Sequence, residues 1–282
     1  KIAFIWNREE LADIYVMSSK GDWPGRISLN RAGTPYWWDR APQWSPNGRW
    51  LASAGDDRSV RAWDGDSAAP RGIFQAHLAR VDALCWSPDG RLLASGGWDR
   101  SVLIWEAGRM LEQALDVLRM AMVKFHMAQE ERVQSLDWSP DGSLLAAGLM
   151  DGAVNLLESD GFTKQERLLG HTQPVLALSW SPDGAALASG SMDASVCLWI
   201  PGSSPPRQEA QRHRGVVTAL EFSPDGSMLA EGDNGLSLGE GLIFFRRLKA
   251  MSDGLPPPPS LLRLQRNDDF NRMLDENIHN VA

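Results

Sequence analysis

The chain has 282 residues, 43% of them hydrophobic and 23% charged, with a formal net charge of -8, which allows a large core in one domain or two. No apolar run reaches the roughly 18 residues of a membrane span, and an acidic balance disfavours nucleic acid, whose phosphates need clustered Lys and Arg. Only Cys85 and Cys197 occur, both in apolar strand-like runs, as expected of buried thiols in a reducing, cytoplasmic setting. Neither a membrane nor a nucleic-acid partner is therefore expected.

In chain order, residues 1–39 suggest three strands, at 2–6, 13–17 and 26–30, and read as an incomplete blade without its innermost strand. From there a four-residue phrase, Ser-Pro-Asp-Gly, recurs at Ser45 (with Asn47 for Asp), Ser87, Ser139, Ser181 and Ser223, at intervals of 42, 52, 42 and 42 residues. A fixed period of this length implies a repeat architecture. Within a unit, Pro ends one strand and Asp-Gly or Asn-Gly supplies a tight turn with positive φ at Gly. Short apolar and alternating runs then follow, as in Leu92-Leu93-Ala94-Ser95 and in residues 101–105. Four strands of about six residues with turns of about four make roughly 40 residues, so one repeat predicts one four-stranded sheet.

Such a sheet cannot cover both its faces alone, and radial stacking gives an all-β propeller of antiparallel blades. The residue before each phrase, Trp44, Trp86, Trp138, Trp180 or Phe222, is expected to pack between blades. The blades fall at about 1–39, 40–76, 77–128, 129–170, 171–212 and 213–245, which is six, or seven if an earlier segment precedes Lys1. The 52-residue interval carries a stripe, Leu111, Leu115, Leu118, Met122 and Phe125, among strong helix formers. It predicts a helical insertion near 109–128, either replacing an outer strand or lying beside a surviving one. The last unit is degraded, with Glu231 at the Ser position and Gly235 and Gly241 where Asp and Trp would fall. Residues 246–282 form a Pro-containing tail whose stretch 260–265 is a candidate closing strand.

His, ten residues to Ser-Pro-Asp-Gly, then Leu-Ala-Ser-Gly, Asp and Trp: this pattern resembles the WD-repeat β-propellers over about residues 40–230. "DIYVMSSKG" and "WSPNGRWLA", within residues 1–50, resemble the propeller repeat of TolB and prolyl-oligopeptidase-like proteins. The WD-repeat resemblance implies a hydrogen-bonded chain of His, Ser, Asp and Trp in a blade. Two units hold all four members: His77, Ser95, Asp99 and Trp105, then His171, Ser189, Asp193 and Trp199. Their recurrence reads as structural, since a catalytic triad occurs once and needs an exposed nucleophile. The unit after the insertion lacks the set, with Ala147 for Ser, Leu157 for Trp and Gln129 for His, and is expected to substitute apolar packing.

No H-E-x-x-H, Walker loop or C-x-x-C occurs, so no enzymatic activity and no cofactor are expected. His126 and His279 have no partner at metal-ligand spacing, so no metal is expected. The residue before each turn Asp is Asp56, Trp98, Met150 or Met192, and three successive large apolar side chains at a turn suggest a protein-binding patch. Arg80 and Gln173, just upstream of innermost strands, would be its polar rim. The sequence thus points to a non-enzymatic scaffold for a peptide or protein partner. Two other readings stand beside it: a gating propeller of a larger enzyme such as a serine peptidase, and a recombined repeat array without a settled function.

Overall fold

The Ser-Pro-Asp-Gly phrase folds the same way five times. In each copy the Gly N–H donates to the Ser carbonyl at 2.8 Å, with Gly48, Gly90, Gly142, Gly184 and Gly226 all at φ between 67° and 72°. The Ser hydroxyl donates to the Asp carboxylate two residues on, at 2.6 Å in the four Asp copies. The same hydroxyl accepts the N–H five residues on, at 2.9 Å in every copy. Asn47 does the work of Asp in the first copy, accepting from Ser45 at 2.8 Å. One hydroxyl therefore closes the turn from both sides, and positive φ makes Gly the cheapest residue at its fourth position.

A computed structural model describes residues 2–8, 11–17, 25–26, 39–108, 123–202, 207–233 and 242–247. The chain divides into two compact units, Lys1–Leu169 and Gly170–Ala282. In the first unit, strands β1 (Ile2–Arg8), β2 (Leu11–Met17) and β3 (Gly25–Arg26) make a three-stranded antiparallel sheet. Three four-stranded sheets follow. They comprise β4 (Asp39–Trp44), β5 (Trp50–Gly55), β6 (Ser59–Asp64) and β7 (Pro70–Gln75), then β8 (Val81–Trp86), β9 (Leu92–Gly97), β10 (Ser101–Glu106) and β11 (Val123–Ala128), then β12 (Val133–Trp138), β13 (Leu144–Leu149), β14 (Val154–Glu158) and β15 (Lys164–Leu168). The second unit holds β16 (Val175–Trp180), β17 (Leu187–Ser191), β18 (Ser195–Ile200) and β19 (Arg207–Arg212) in one sheet, and β20 (Val217–Phe222), β21 (Met228–Asp233) and β22 (Leu242–Arg247) in another. Strands pair with their neighbours in sequence, as up-and-down hairpins require.

Within each unit the first strand of one sheet packs on the first strand of the next: β4 on β8, β8 on β12, and β16 on β20. The large residue before each phrase fills these gaps. Trp86 lies against Ala52, Val60 and Phe74 of the preceding sheet, with its indole N–H 3.2 Å from the Gln43 carbonyl. Trp138 lies against Ala83, Cys85 and Ala94, and Phe222 against Ala177 and Ala188. Glycine makes the close approach possible: a Cβ on Gly96 would stand 2.4 Å from Val133 Cγ1, and one on Gly190 2.5 Å from Val217 Cγ1.

Several expectations change. Residues 123–128, assigned to the helical insertion, form β11 and pair with β10 from Ser101↔Ala128 to Trp105↔Val123, so the outer strand survives. Phe125, counted in the helical stripe, sits in that strand and packs on Phe162, with ring centroids 4.8 Å apart and the rings tilted by 46°. The pattern Val-Lys-Phe-His-Met-Ala alternates in burial along the strand, a period of two that the longer helical spacing had masked. The rest of the insertion, 109–122, lies outside the described residues, as do the positions of Gly235 and Gly241 and the stretch 260–265. In the first sheet, β3 (Gly25–Arg26) meets the expected 26–30 only at Arg26, and 27–30 are likewise outside. The degraded last unit keeps a third strand, β22, running past the expected tail boundary to Arg247 and pairing with all of β21.

Candidate partner-binding surface

Each turn before a sheet's third strand is organised by its Asp. Asp57, Asp99, Asp151 and Asp193 accept the N–H two residues on at 3.0–3.1 Å, with the intervening residue at positive φ in Arg58, Arg100, Gly152 and Ala194. Asp99 also joins a buried chain. His77 Nδ1 lies 2.9 Å from the Asp99 carboxylate and its Nε2 2.7 Å from the Ser95 hydroxyl. Ser95 Oγ in turn accepts the Trp105 indole N–H at 2.8 Å. In the second unit His171 meets Ser189 at 2.7 Å, Ser195 at 2.9 Å and Asp193 at 3.4 Å, and Trp199 donates to Ser189 at 2.7 Å. Ser95, Ser189, Trp105 and Trp199 are all fully buried, so neither of these two serines is an exposed nucleophile.

The unit with Gln129, Ala147 and Leu157 does not simply turn apolar. Ala147 and Leu157 are buried, but the polar role moves to Asn155, also fully buried, whose amide donates to Gln129 and Glu130 at 2.9 Å. Arg167 reaches Asn155 at 3.3 Å and pairs with Glu130 and Asp151, and Lys164 pairs with Glu130. The Lys164 bond, outweighing the upward push of burial, holds Glu130 down to about 2. Gln129, at the vacant His position, thus keeps a hydrogen-bonding task. In the last sheet His213 Nε2 lies 2.8 Å from Glu231 and its Nδ1 3.6 Å from Asp233, with all three side chains buried.

These chains give the protein a pH response. Burial is the largest influence on Asp99 and pushes it up. The bond and charge of His77 and the N–H groups of Leu78 and Ser101 outweigh it and hold the carboxyl below its ordinary value; Asp193 behaves likewise. Asp225 falls to about 2, chiefly through the Ser223 hydroxyl. Burial lowers His171 below 6.5, against the Asp193 charge. Every one of these folded values lies below its unfolded one, so each contributes stability at high pH that is lost as pH falls through the folded value. The urea midpoint should fall in two stages from neutrality, first as pH drops below about 6.5 from His171, then below about 4 from the carboxylates. Urea titrations at stepped pH check this, and His171→Gln should remove the first stage.

Trp98, Met150 and Met192 occupy equivalent turns, and each donates its backbone N–H to the loop before its own sheet's first strand: Trp98 to Arg80, Met150 to Arg132 and Met192 to Pro174, at 2.9–3.0 Å. Trp98 is half-buried, with the guanidinium of Arg80 4.0 Å and that of Arg132 4.1 Å from its ring centroid. Both guanidiniums lie in contact with the ring, and together they clamp the indole. Asp82 anchors the clamp, pairing with Arg80 at 3.0 Å and accepting from Gln134 at 3.2 Å. Met150, in the neighbouring sheet's turn, is half-buried. In the second unit Met192 is 44% exposed and Gln173 is exposed. Trp98 is therefore half-buried beside two charges where an open apolar face was expected. Leu78, 83% exposed two residues before Arg80, is an apolar rim residue that repeat spacing does not single out.

Burial pushes the Cys85 thiol well up, helped by the Asp137 charge, and Cys197 is also buried. Among the described residues no group of three or more His, Cys, Asp or Glu is placed to hold a metal, and no helix is long and apolar enough to cross a membrane.

Sheets of four antiparallel strands, repeated with one turn chemistry, are the architecture of WD-repeat blades. Family comparison agrees: the model "WD domain, G-beta repeat" matches residues 39–64, 68–106 and 162–199, and "Anaphase-promoting complex subunit 4 WD40 domain" matches 110–168. The chain carries WD40 repeats. A chain in the crystal structure of the Mitotic Checkpoint Complex is similar over 84% of this chain and 68% of its own, with TM-score 0.70 and 19% identity, a likeness of fold. No curated protein matches the chain.

Proposed function

We propose that the protein is a non-enzymatic scaffold, a six-bladed WD-repeat propeller in a reducing compartment, that binds a peptide or protein partner on the turns bearing Trp98 and Met150. The observation that carries this reading is the Arg80–Trp98–Arg132 clamp beside Met150. An indole held between two guanidiniums is rigid before any partner arrives, so little ordering entropy is lost on binding. Leu78 and Arg80 supply an apolar and a charged rim on one loop, and Met192 and Gln173 are the equivalent positions of the second unit. Copies of the chain carrying Trp98→Ser with Met150→Ser, or Met192→Ser alone, are compared with the wild type in affinity capture from native lysate. The double variant should lose the captured partner while its melting temperature falls by no more than about 2–4 °C. Retained capture, or a collapse in stability showing these side chains to be core, overturns the assignment.

A further inference from the structure

We infer that the first unit carries a second binding surface, for an acidic peptide segment, at the Ser-Pro-Asp-Gly end of the sheets β4–β7 and β8–β11. A cavity of about 660 Å³ opens there. Four cations line it, Arg49, Arg71, Arg91 and Lys124, against two carboxylates, Asp89 and Glu106, in a chain whose net charge is -8. Trp50, half-buried, forms part of the wall, with the Arg49 guanidinium 4.9 Å and the Arg71 guanidinium 5.4 Å from its ring.

Three of the cations have carboxylate neighbours. Arg71 pairs with Asp64 at 2.6 Å, Lys124 lies 3.7 Å from Glu106, and Arg91 lies 4.0 Å from Asp89 with its side chain 85% exposed. Arg49 has no ion pair among the described residues. Arg49 and Arg91 hold the same place, immediately after the turn glycine, where the later repeats have Ser143, Ala185 and Ser227. The turn closes equally well in all five copies, so its geometry does not call for arginine. The two arginines occur only in the two sheets that wall the cavity.

The interspersed carboxylates select the ligand. Asp89 and Glu106 would repel a compact polyanion, but they are acceptors for the N–H groups of a peptide whose own carboxylates are spaced along it. Guanidinium forks match such carboxylates two bonds at a time, and the volume suits a short segment. This surface lies on other turns than the Trp98 clamp and does not depend on it.

The test is fluorescence anisotropy of a labelled octapeptide alternating Glu and Gly, titrated with the full chain. Binding is expected with a Kd of about 10–100 µM at low salt, weakening as salt rises past about 0.15 M. Arg49→Glu with Arg91→Glu, both exposed, should weaken it by about tenfold or more. The same charge change elsewhere, Arg58→Glu with Arg214→Glu, should leave binding within about twofold. No binding by the wild type up to about 1 mM overturns the proposal, as does equal weakening in both double variants. Displacement by tripolyphosphate at lower concentration than by unlabelled peptide overturns the peptide assignment. The salt dependence is read on the wild type, so the outcome does not hang on the variants folding.

Discussion

Replacing Trp105 with alanine is expected to lower the unfolding free energy by about 3–5 kcal/mol. Its side chain is fully buried, packs with Phe74 at a centroid distance of 6.2 Å, and donates to Ser95. Alanine both opens a cavity between two sheets and ends the chain at Ser95, whose hydroxyl still meets His77. Trp105→Phe keeps most of the packing and removes one donor, so about 1–2 kcal/mol should be lost. Urea unfolding of the two variants measures the difference. No loss in Trp105→Phe would show that the indole N–H contributes nothing and that volume alone matters. The same comparison at Trp199, bonded to Ser189 at 2.7 Å, should give the same order.

Replacing His213 with alanine is expected to cost about 3–5 kcal/mol as well, by a different route. The imidazole lies between two buried carboxylates, Glu231 and Asp233, and taking it away leaves their charges facing each other in a poorly solvated site. Glu231→Ser should be milder, because His213 keeps Asp233 and the new hydroxyl matches the residue that Ser95 and Ser189 supply in their own sheets. Thermal melts read both variants. An unchanged melting temperature in His213→Ala would remove any stabilising role from the cluster.

The repeat, its four-stranded unit and the packing of Trp86, Trp138 and Phe222 were legible in the sequence because they follow from period and turn chemistry, which are local. The polar chain around Ser95 and Ser189 was expected from the resemblance to WD-repeat propellers, which implies such a chain wherever its four residue types recur. Asn155 was not: its partners Gln129, Glu130 and Arg167 come from a loop and an outer strand, and no single spacing links them. Asp233 was missed because the expected Asp was sought at Gly235, and a two-residue offset is invisible without the pairing of β20 with β21. β11 was misread because Leu111, Leu115, Leu118 and Met122 extend a helical period into Phe125, where a strand period begins. The state of Trp98 was the furthest from reach. Its place at the turn was readable, but Arg132 arrives from another sheet to cover it, and that is a tertiary fact.

The Ser-Pro-Asp-Gly turn closes every one of its bonds within six residues. It therefore carries no address: nothing in it tells one sheet from the next, and during folding each of the five copies is an equally good starting point for a hairpin. Order along the chain must be kept by residues that differ between copies. Asn155 with Gln129, and Glu231 with His213, fit only within their own sheets. The departures from the repeat thus act as keys, and a chain with five perfect copies would lose the labels that keep its strands from pairing with the wrong neighbour.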